Sequence, residues 1–383
     1  MIRSKLVDTD IKLYELYFAL LAGLRGQGKG VSVFEDFLKK KANAAEAVVF
    51  GSGKAALLAA LTAIKNITKG EKSEVILPAY TPLALYVVIK QAGLKPVFCD
   101  IDLKDFGFSA RCLEEKKTGK TLAVLSVRLF GLESSPKGKN DGIFVIEDNA
   151  QGFLTPLKWD LELLSFNRGK NFPLFNGGAL ITNDDRLAEE LRKVRAAYRP
   201  PSRLNNLITF LKFKAFCLSK KRFIYNISLP VIEKMRETRP PEHISGELLS
   251  SWQAMLGAGK IFHTGKSMQR RSEIALQYLA NLKELEGIEL PEVRSGSVVN
   301  RFPLLVKDKN KVEEVRLRLR KAGVEASRMY LKTVPAAFET KSSSGEYKNA
   351  AYAAERLLVL PCNPFLSDKE VEDISNKVKK CFR

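Results

Sequence analysis

The stretch Val145-Ile-Glu-Asp-Asn-Ala-Gln151, read together with Ser165-Phe-Asn-Arg-Gly-Lys170 and the Gly177-Gly178 pair, decides how this chain folds. The apolar run from Gly142 to Ile146 reads as a buried strand, and strands of this kind in α/β proteins deliver polar residues at their C-terminal ends, where ligands bind. Asp148 falls at that edge. Lys170 follows in a polar loop shortly after Ser165, and Gly177-Gly178 opens the apolar Ala179-Leu-Ile-Thr182, a further strand. A carboxylate, a hydroxyl and a lysine brought to one edge suit pyridoxal phosphate. Its ring nitrogen needs a carboxylate to stay protonated, and its aldehyde needs a lysine amine. Asp148 and Lys170 fit those roles. The same residues also admit a plainer account, a strand-end acid capping a helix and a solvated loop lysine.

Working outward, the chain has 383 residues, 45% of them hydrophobic, enough for a large core and, at usual domain sizes, two or three units. Sixty-three Lys and Arg stand against 43 acidic residues, a net charge of +20 that favours anionic partners such as phosphates, nucleic acid or an acidic membrane surface without choosing among them. No nucleic-acid-binding motif accompanies the charge, so no nucleic-acid partner is expected. Five cysteines at 99, 112, 217, 362 and 381 have no paired spacing, which predicts free thiols, no metal site and a cytoplasmic protein. With only His243 and His263 present, histidine triads and zinc clusters lack material.

In chain order, a short amphipathic helix is predicted around Ile11 to Leu24, then a glycine-rich turn to Gly30 and a helix from Val31 to Ala42. Val48-Val-Phe50 is a strand, and Gly51-Ser-Gly-Lys-Ala-Ala-Leu57 turns directly into a helix, whose free amides and positive dipole end form an anion site. A Walker loop fails there, because Ala55 stands where a Ser or Thr must hold magnesium. Strands at Glu74 to Leu77, Lys95 to Asp100, Thr121 to Val127 and Ile143 to Ile146 then alternate with helical segments. That pattern implies crossovers and a mostly parallel sheet. Asp184 to Ala197 is predicted helical with Asn183 as its cap.

Residues 203–236 mix apolar and basic side chains. No run in them approaches the roughly 20 apolar residues needed to cross a bilayer. The stretch 207–224 fits either a helix packed against a partner subunit, the favoured reading, or peripheral contact with anionic membrane through Lys212, Lys214, Lys220, Lys221 and Arg222. The last third reads as a smaller unit. It comprises a long helix from Gly246 to Glu284, strands at Arg301 to Val306, Val324 to Met329 and Leu358 to Pro361, helices at Lys311 to Ala322 and Ala350 to Arg356, a loop at Ser342-Ser-Ser-Gly345, and a final helix from Asp368 to Lys380. The expected organisation is therefore an α/β cofactor domain over 1–245 with a basic apolar insertion at 203–236, followed by a linking helix and a smaller α+β domain over 246–383.

With these elements placed, the chain resembles the sugar-nucleotide aminotransferases of the DegT/StrS type, fold type I pyridoxal-phosphate enzymes. Ser52-Gly53 with Ala55-Ala56-Leu57 is similar to the family's phosphate turn, Pro78-Ala-Tyr-Thr81 to its Pro-x-x-Thr segment, and Pro96-Val-Phe-Cys-Asp-Ile-Asp102 to its Pro-Val-Phe-x-Asp-Ile-Asp. Leu129-Phe-Gly131 resembles its Leu-Tyr-Gly, Trp252-Gln-Ala-Met-Leu-Gly257 its Leu-Gln-Ala-x-x-Gly helix, and Leu360-Pro-Cys-Asn-Pro364 its Leu-Pro-x-His-Pro segment. Glu147-Asp148 with Ala150-Gln151 matches Glu-Asp-x-Ala-Gln, whose Asp meets the pyridine nitrogen and whose Gln lies by the ring. Ser165-Phe166 with Lys170 matches Ser-Phe-x-x-x-Lys, in which Ser binds phosphate and Lys condenses with the cofactor.

The resemblance implies a mostly parallel seven-stranded sheet flanked by helices and a homodimer. It also implies an amino group moved from an amino acid, glutamate, to a keto sugar carried on a nucleotide. Ser52, Gly53, Lys54, Asp148, Gln151, Ser165 and Lys170 become the expected cofactor residues, with Lys170 and Asp148 catalytic. Departures cluster on the substrate side: Lys54 replaces a family Thr, Pro82 an aromatic, and Met329 and Asn363 two histidines. Gly246 and Leu248 fall near positions where a neighbouring subunit contributes Asn and Arg. The related dehydratases carry histidine in place of the lysine, so Lys170 argues against them. The competing class is a family member that has lost catalysis and keeps the fold as a binding scaffold.

Overall fold

The computed structural model describes residues 2–6, 8, 11–25, 29–134, 142–218, 223–227, 241–340 and 345–383. Seven strands build the larger sheet: β1 (Glu46–Phe50), β2 (Glu74–Pro78), β3 (Lys95–Cys99), β4 (Thr121–Val127), β5 (Phe144–Asp148), β6 (Leu161–Ser165) and β7 (Gly178–Thr182). Their order is β1-β7-β6-β5-β4-β2-β3. The pairs from β3 through β6 are parallel, as the helical crossovers require, whereas β7 is antiparallel to both neighbours. Because β7 reverses twice, β1 runs in the direction of β6. The C-terminal ends of β1, β2, β4, β5 and β6 therefore open on one edge.

The strands β2 and β4 are buried along their whole length, which is why they read as continuous apolar runs and not as alternating ones. The helix Gly53–Ile67 lies across this sheet and buries Ala55, Ala56, Leu57, Ala59, Ala60, Leu61, Ala63 and Ile64. Its alanines let the backbone come close, and Leu57, Leu61 and Ile64 each contribute about 1.5–3 kcal/mol by burial. A second, antiparallel sheet is formed by β8 (Ile288–Glu289), β9 (Arg301–Val306) and β10 (Leu357–Pro361) in the order β10-β9-β8. One apolar core runs through both, joining Leu125 and Ile146 of the larger sheet to Phe302 and Leu358 of the smaller.

Several expectations are corrected. Asn183 does not cap the helix Asp185–Ala196: Asp184 does, accepting from the Leu187 amide at 2.9 Å, while the Asn183 side chain accepts from the Ala45 amide at 2.8 Å. The carboxylate wins because it sits one residue nearer and reaches the amide three positions on. The long helix from Gly246 is two helices, Ser251–Lys260 and Gly265–Leu282, separated by a 3₁₀ turn at Ile261–His263. The Thr264 hydroxyl donates to the Ile261 carbonyl at 2.8 Å inside that break. Val324 to Met329 is not a strand; it makes isolated bridges, Val324 to Ser4 and Ser327 to Val359. Residues 203–218 are helical as expected, whereas 219–222, 228–236 and the serine loop at 342–344 lie outside the described residues.

Candidate active site

One row of the larger sheet explains how distant parts of the chain meet. Phe50 of β1 pairs with Gly178 of β7, and Gly178 pairs on its other side with Ser165 of β6. Ser52, two residues past Phe50, bridges to Gly177 and begins the helix Gly53–Ile67, its hydroxyl accepting from the Ala55 amide at 3.1 Å. The approach is so close that a Cβ on Gly178 would lie 2.5 Å from the Gly53 Cα, and one on Gly53 would lie 2.9 Å from the Ser165 Cβ. Only glycine fits at both positions. Ser165 is thus held against the N-terminus of that helix, beside leading amides and the positive end of the helix dipole, while Lys54 stands exposed on its first turn. This makes a cradle able to hold a phosphate.

Asp148 ends β5 on the same edge and is buried, with one carboxylate oxygen accepting from the Ala150 amide at 3.0 Å. Burial raises its pKa, and the charge of Lys170 opposes that rise. For Lys170, burial is again the largest influence and lowers its pKa to about 8, with Asp148 pulling up and Arg301 pushing down. The acid and the amine therefore lie near enough for each charge to shift the other's titration. The lysine loop is fixed at both ends: the Phe166 amide donates to Gly177, Leu174 to Phe166, and Lys170 to Asn167.

Gln151 is locked. Its carbonyl oxygen accepts from the Phe130 amide and its amide nitrogen donates to the Tyr330 hydroxyl, both at 3.2 Å. The Thr81 hydroxyl is buried and has no partner. A buried hydroxyl left unsatisfied points to a group that completes the site. The unsatisfied donor, the cradle at Gly53 and Ser165, and the Asp148–Lys170 pair together fit a phosphorylated pyridine aldehyde.

Four further residues, to which the motifs assign no role, are tied to this loop and its neighbours. Asn171 donates to the carbonyls of Gln151, Gly152 and Val298 at 3.0–3.1 Å, and Asn300 donates to the Gly169 carbonyl and the Asn171 side chain at 3.2 and 2.8 Å. Arg301, which opens β9, is anchored on the Asn300 side chain at 2.7 Å. Tyr330 is half-buried, and loss of solvent around its hydroxyl pushes its pKa up to about 12. The polar pair Asn300-Arg301 opening an apolar strand was the available signal. Of the departures, Met329 offers only its carbonyl, to the Tyr80 hydroxyl at 2.9 Å. Asn363 is turned to the chain start, donating to the Lys5 carbonyl at 2.7 Å. Gly246 and Leu248 pair with Arg199 of their own chain, and the intervening Glu247 carbonyl accepts from the Gly51 amide at 2.8 Å beside the cradle.

Comparison with known proteins matches residues 15–379 to the model of the DegT/DnrJ/EryC1/StrS aminotransferase family. The chain is 26% identical over 351 residues to the dTDP-4-amino-4,6-dideoxy-D-glucose transaminase of Shigella dysenteriae, covering 87% of this chain and 84% of that one. It is 31% identical over 176 residues to the GDP-perosamine synthase of Escherichia coli O157:H7, covering 43% and 48%. In structure it is similar over the full length of both chains to DesV of S. venezuelae, solved with a ketimine intermediate, at a TM-score of 0.76 and 23% identity.

Proposed function

The chain belongs to the DegT/DnrJ/EryC1/StrS aminotransferase family, and from that premise we propose that it transfers an amino group from glutamate to a keto sugar carried on a nucleotide. Membership makes it a pyridoxal-phosphate-dependent aminotransferase. The choice of a nucleotide-linked sugar is supported by relatives named as a dTDP-sugar transaminase and a GDP-perosamine synthase. The observation that carries the reading is the buried Asp148 and the half-buried Lys170, each shifting the other's titration, set beside the cradle of Ser52, Gly53, Lys54 and Ser165.

Pyridoxal phosphate supplies an electrophilic aldehyde and a ring that withdraws electrons from the carbon bearing the migrating amine. Asp148 holds the proton on the ring nitrogen. Ser165, the Ser52 hydroxyl and the helix amides at Gly53 and Lys54 hold the phosphate dianion, whose charge suits a helix N-terminus. Lys170, with its pKa lowered to about 8, offers a substantial neutral fraction near neutral pH. It would be the amine that receives the aldehyde and, when free of it, the base that moves a proton during transfer. Gln151, fixed between Phe130 and Tyr330, would lie beside the ring.

The active unit is proposed as a homodimer, with residues 1–245 as its cofactor domain and 246–383 as its smaller domain, in the cytoplasm, where the five free cysteines stay reduced. Reduction of the cofactor-loaded protein with borohydride, followed by peptide mapping, should place the adduct on Lys170. Amino transfer from glutamate to a panel of nucleotide keto sugars should follow. An adduct on another lysine overturns the site, and a correct adduct with no transfer to any of the panel overturns the acceptor class. Light scattering tests the dimer, and a stable monomer at micromolar concentration overturns it.

A further inference from the structure

The helix Arg203–Leu218 is apolar on two opposite faces. Phe210, Phe213 and Cys217 are buried, with Phe210 and Phe213 packed on Trp252. On the other face Leu204, Leu207, Ile208, Leu211, Ala215 and Leu218 recur at three- and four-residue steps and form a continuous stripe. It is open to solvent: Leu204, Leu207 and Leu211 are 65%, 55% and 53% exposed. Seen down the axis, Lys212 flanks the stripe on one side and Arg203 and Lys214 on the other. The surface continues onto the helix Leu13–Arg25, whose Tyr14, Tyr17, Phe18 and Leu21 are exposed at the same spacing. The two helices meet where the Tyr17 ring contacts Phe210 edge-on, with the Lys214 ammonium over Tyr17.

Charge decides what covers this surface. The helix Arg203–Leu218 carries three basic residues, Arg203, Lys212 and Lys214, and no acidic one. Pairing the face with itself across a two-fold axis would set Arg203, Lys212 and Lys214 of one copy against those of the other. A bilayer with anionic headgroups accepts the leucines and aromatics below the headgroups while the long basic side chains reach the phosphates. We propose that the paired helices Leu13–Arg25 and Arg203–Leu218 form a peripheral docking surface for an anionic lipid bilayer. The helices lie in the membrane surface and do not cross it, since no helix among the described residues is long and apolar enough to do so. The proposal is independent of which sugar the enzyme aminates.

The test is co-sedimentation of the cofactor-loaded full chain with vesicles of phosphatidylcholine alone or containing about one-third phosphatidylglycerol, at low and high salt. Sedimentation with the anionic vesicles at low salt, lost in high salt and with neutral vesicles, is expected. Replacing two flanking cations together, Lys212→Gln with Lys214→Gln, should weaken partitioning roughly thirtyfold, at about fivefold for each charge near the surface. Leu207→Ser with Leu211→Ser should abolish sedimentation and leave transfer in solution unchanged, since both side chains are exposed and far from the cofactor residues in the chain. Protein that stays in the supernatant with anionic vesicles at low salt overturns the proposal. So does equal binding to neutral vesicles. A Leu207→Ser, Leu211→Ser variant whose mass in solution falls from dimer to monomer also overturns it, and assigns the face to a second copy of the chain.

Discussion

The rate at which the cofactor-free protein captures pyridoxal phosphate should follow the neutral fraction of Lys170 and be tuned in opposite directions by two named neighbours. An ordinary lysine, with a pKa near 10.5, is neutral in about one molecule in a thousand at pH 7.5. With its pKa lowered to about 8, chiefly by burial, Lys170 is neutral in about a quarter, a gain of roughly two hundredfold in reactive amine. Capture followed by visible absorbance should therefore rise close to tenfold per pH unit below about 7 and level off above about 9. Asp148→Asn keeps the shape of the side chain and removes the charge that raises the lysine pKa, so the midpoint should move to lower pH. Arg301→Gln removes a charge that lowers it, so the midpoint should move to higher pH, each by up to about one unit. The midpoint is the quantity to read, because both variants also alter how tightly the cofactor is held. A rate that climbs only near pH 10, a flat profile, or two variants moving the same way would refute the electrostatic reading of this site.

Ser165→Ala should raise the dissociation constant for pyridoxal phosphate about 10- to 100-fold, the value of one hydrogen bond to a charged group, and an unchanged constant by equilibrium dialysis removes Ser165 from the cradle. Glu162 sits in register beside Glu147 on neighbouring strands, and its pKa is raised to about 7, first by burial and then by that carboxylate, against the hydrogen bond from Asn149 at 2.6 Å. The folded state thus holds a proton that the unfolded state releases between about pH 4.5 and 7, so this stability is present at low pH and lost as pH rises through 7, by at most about 3 kcal/mol. Glu162→Gln should accordingly raise the melting temperature at pH 8 relative to wild type by more than it does at pH 5, and an equal change at both values would contradict the assignment.

The sheet and the candidate pair of Asp148 and Lys170 were legible because both depend on local pattern. Buried parallel strands are continuous apolar runs, and Asp148, Ser165 and the Gly177-Gly178 turn each stand at the end of one. Gly53 and Gly178 were readable as turn glycines, although their reason, a helix pressed against a strand, appears only in three dimensions. The tie between Asn171, which follows the lysine in the motif, and Asn300 was not legible, because their partners lie more than a hundred residues away in sequence. The cap at Asp184 and the break at Ile261–His263 were missed for a different reason: two adjacent residues with similar capping ability, and a turn without Gly or Pro, leave propensity undecided. Substrate-side departures were identified by position, but Asn363 turned out to serve the packing of the chain start, and Met329 to pack against the core and accept a hydrogen bond at its carbonyl.

Asn171 and Asn300 join the lysine loop to the strand that opens the smaller sheet, so the reactive amine is suspended between two parts of the molecule and owned by neither. For anyone exchanging the C-terminal portion with that of a relative to change the acceptor, this sets a rule of inheritance. A graft that brings a new residue at 300 without its match at 171 tilts the lysine before any new sugar contact is tested. Failures of such chimeras would then be misread as wrong specificity, when what was lost is the aim of the nucleophile.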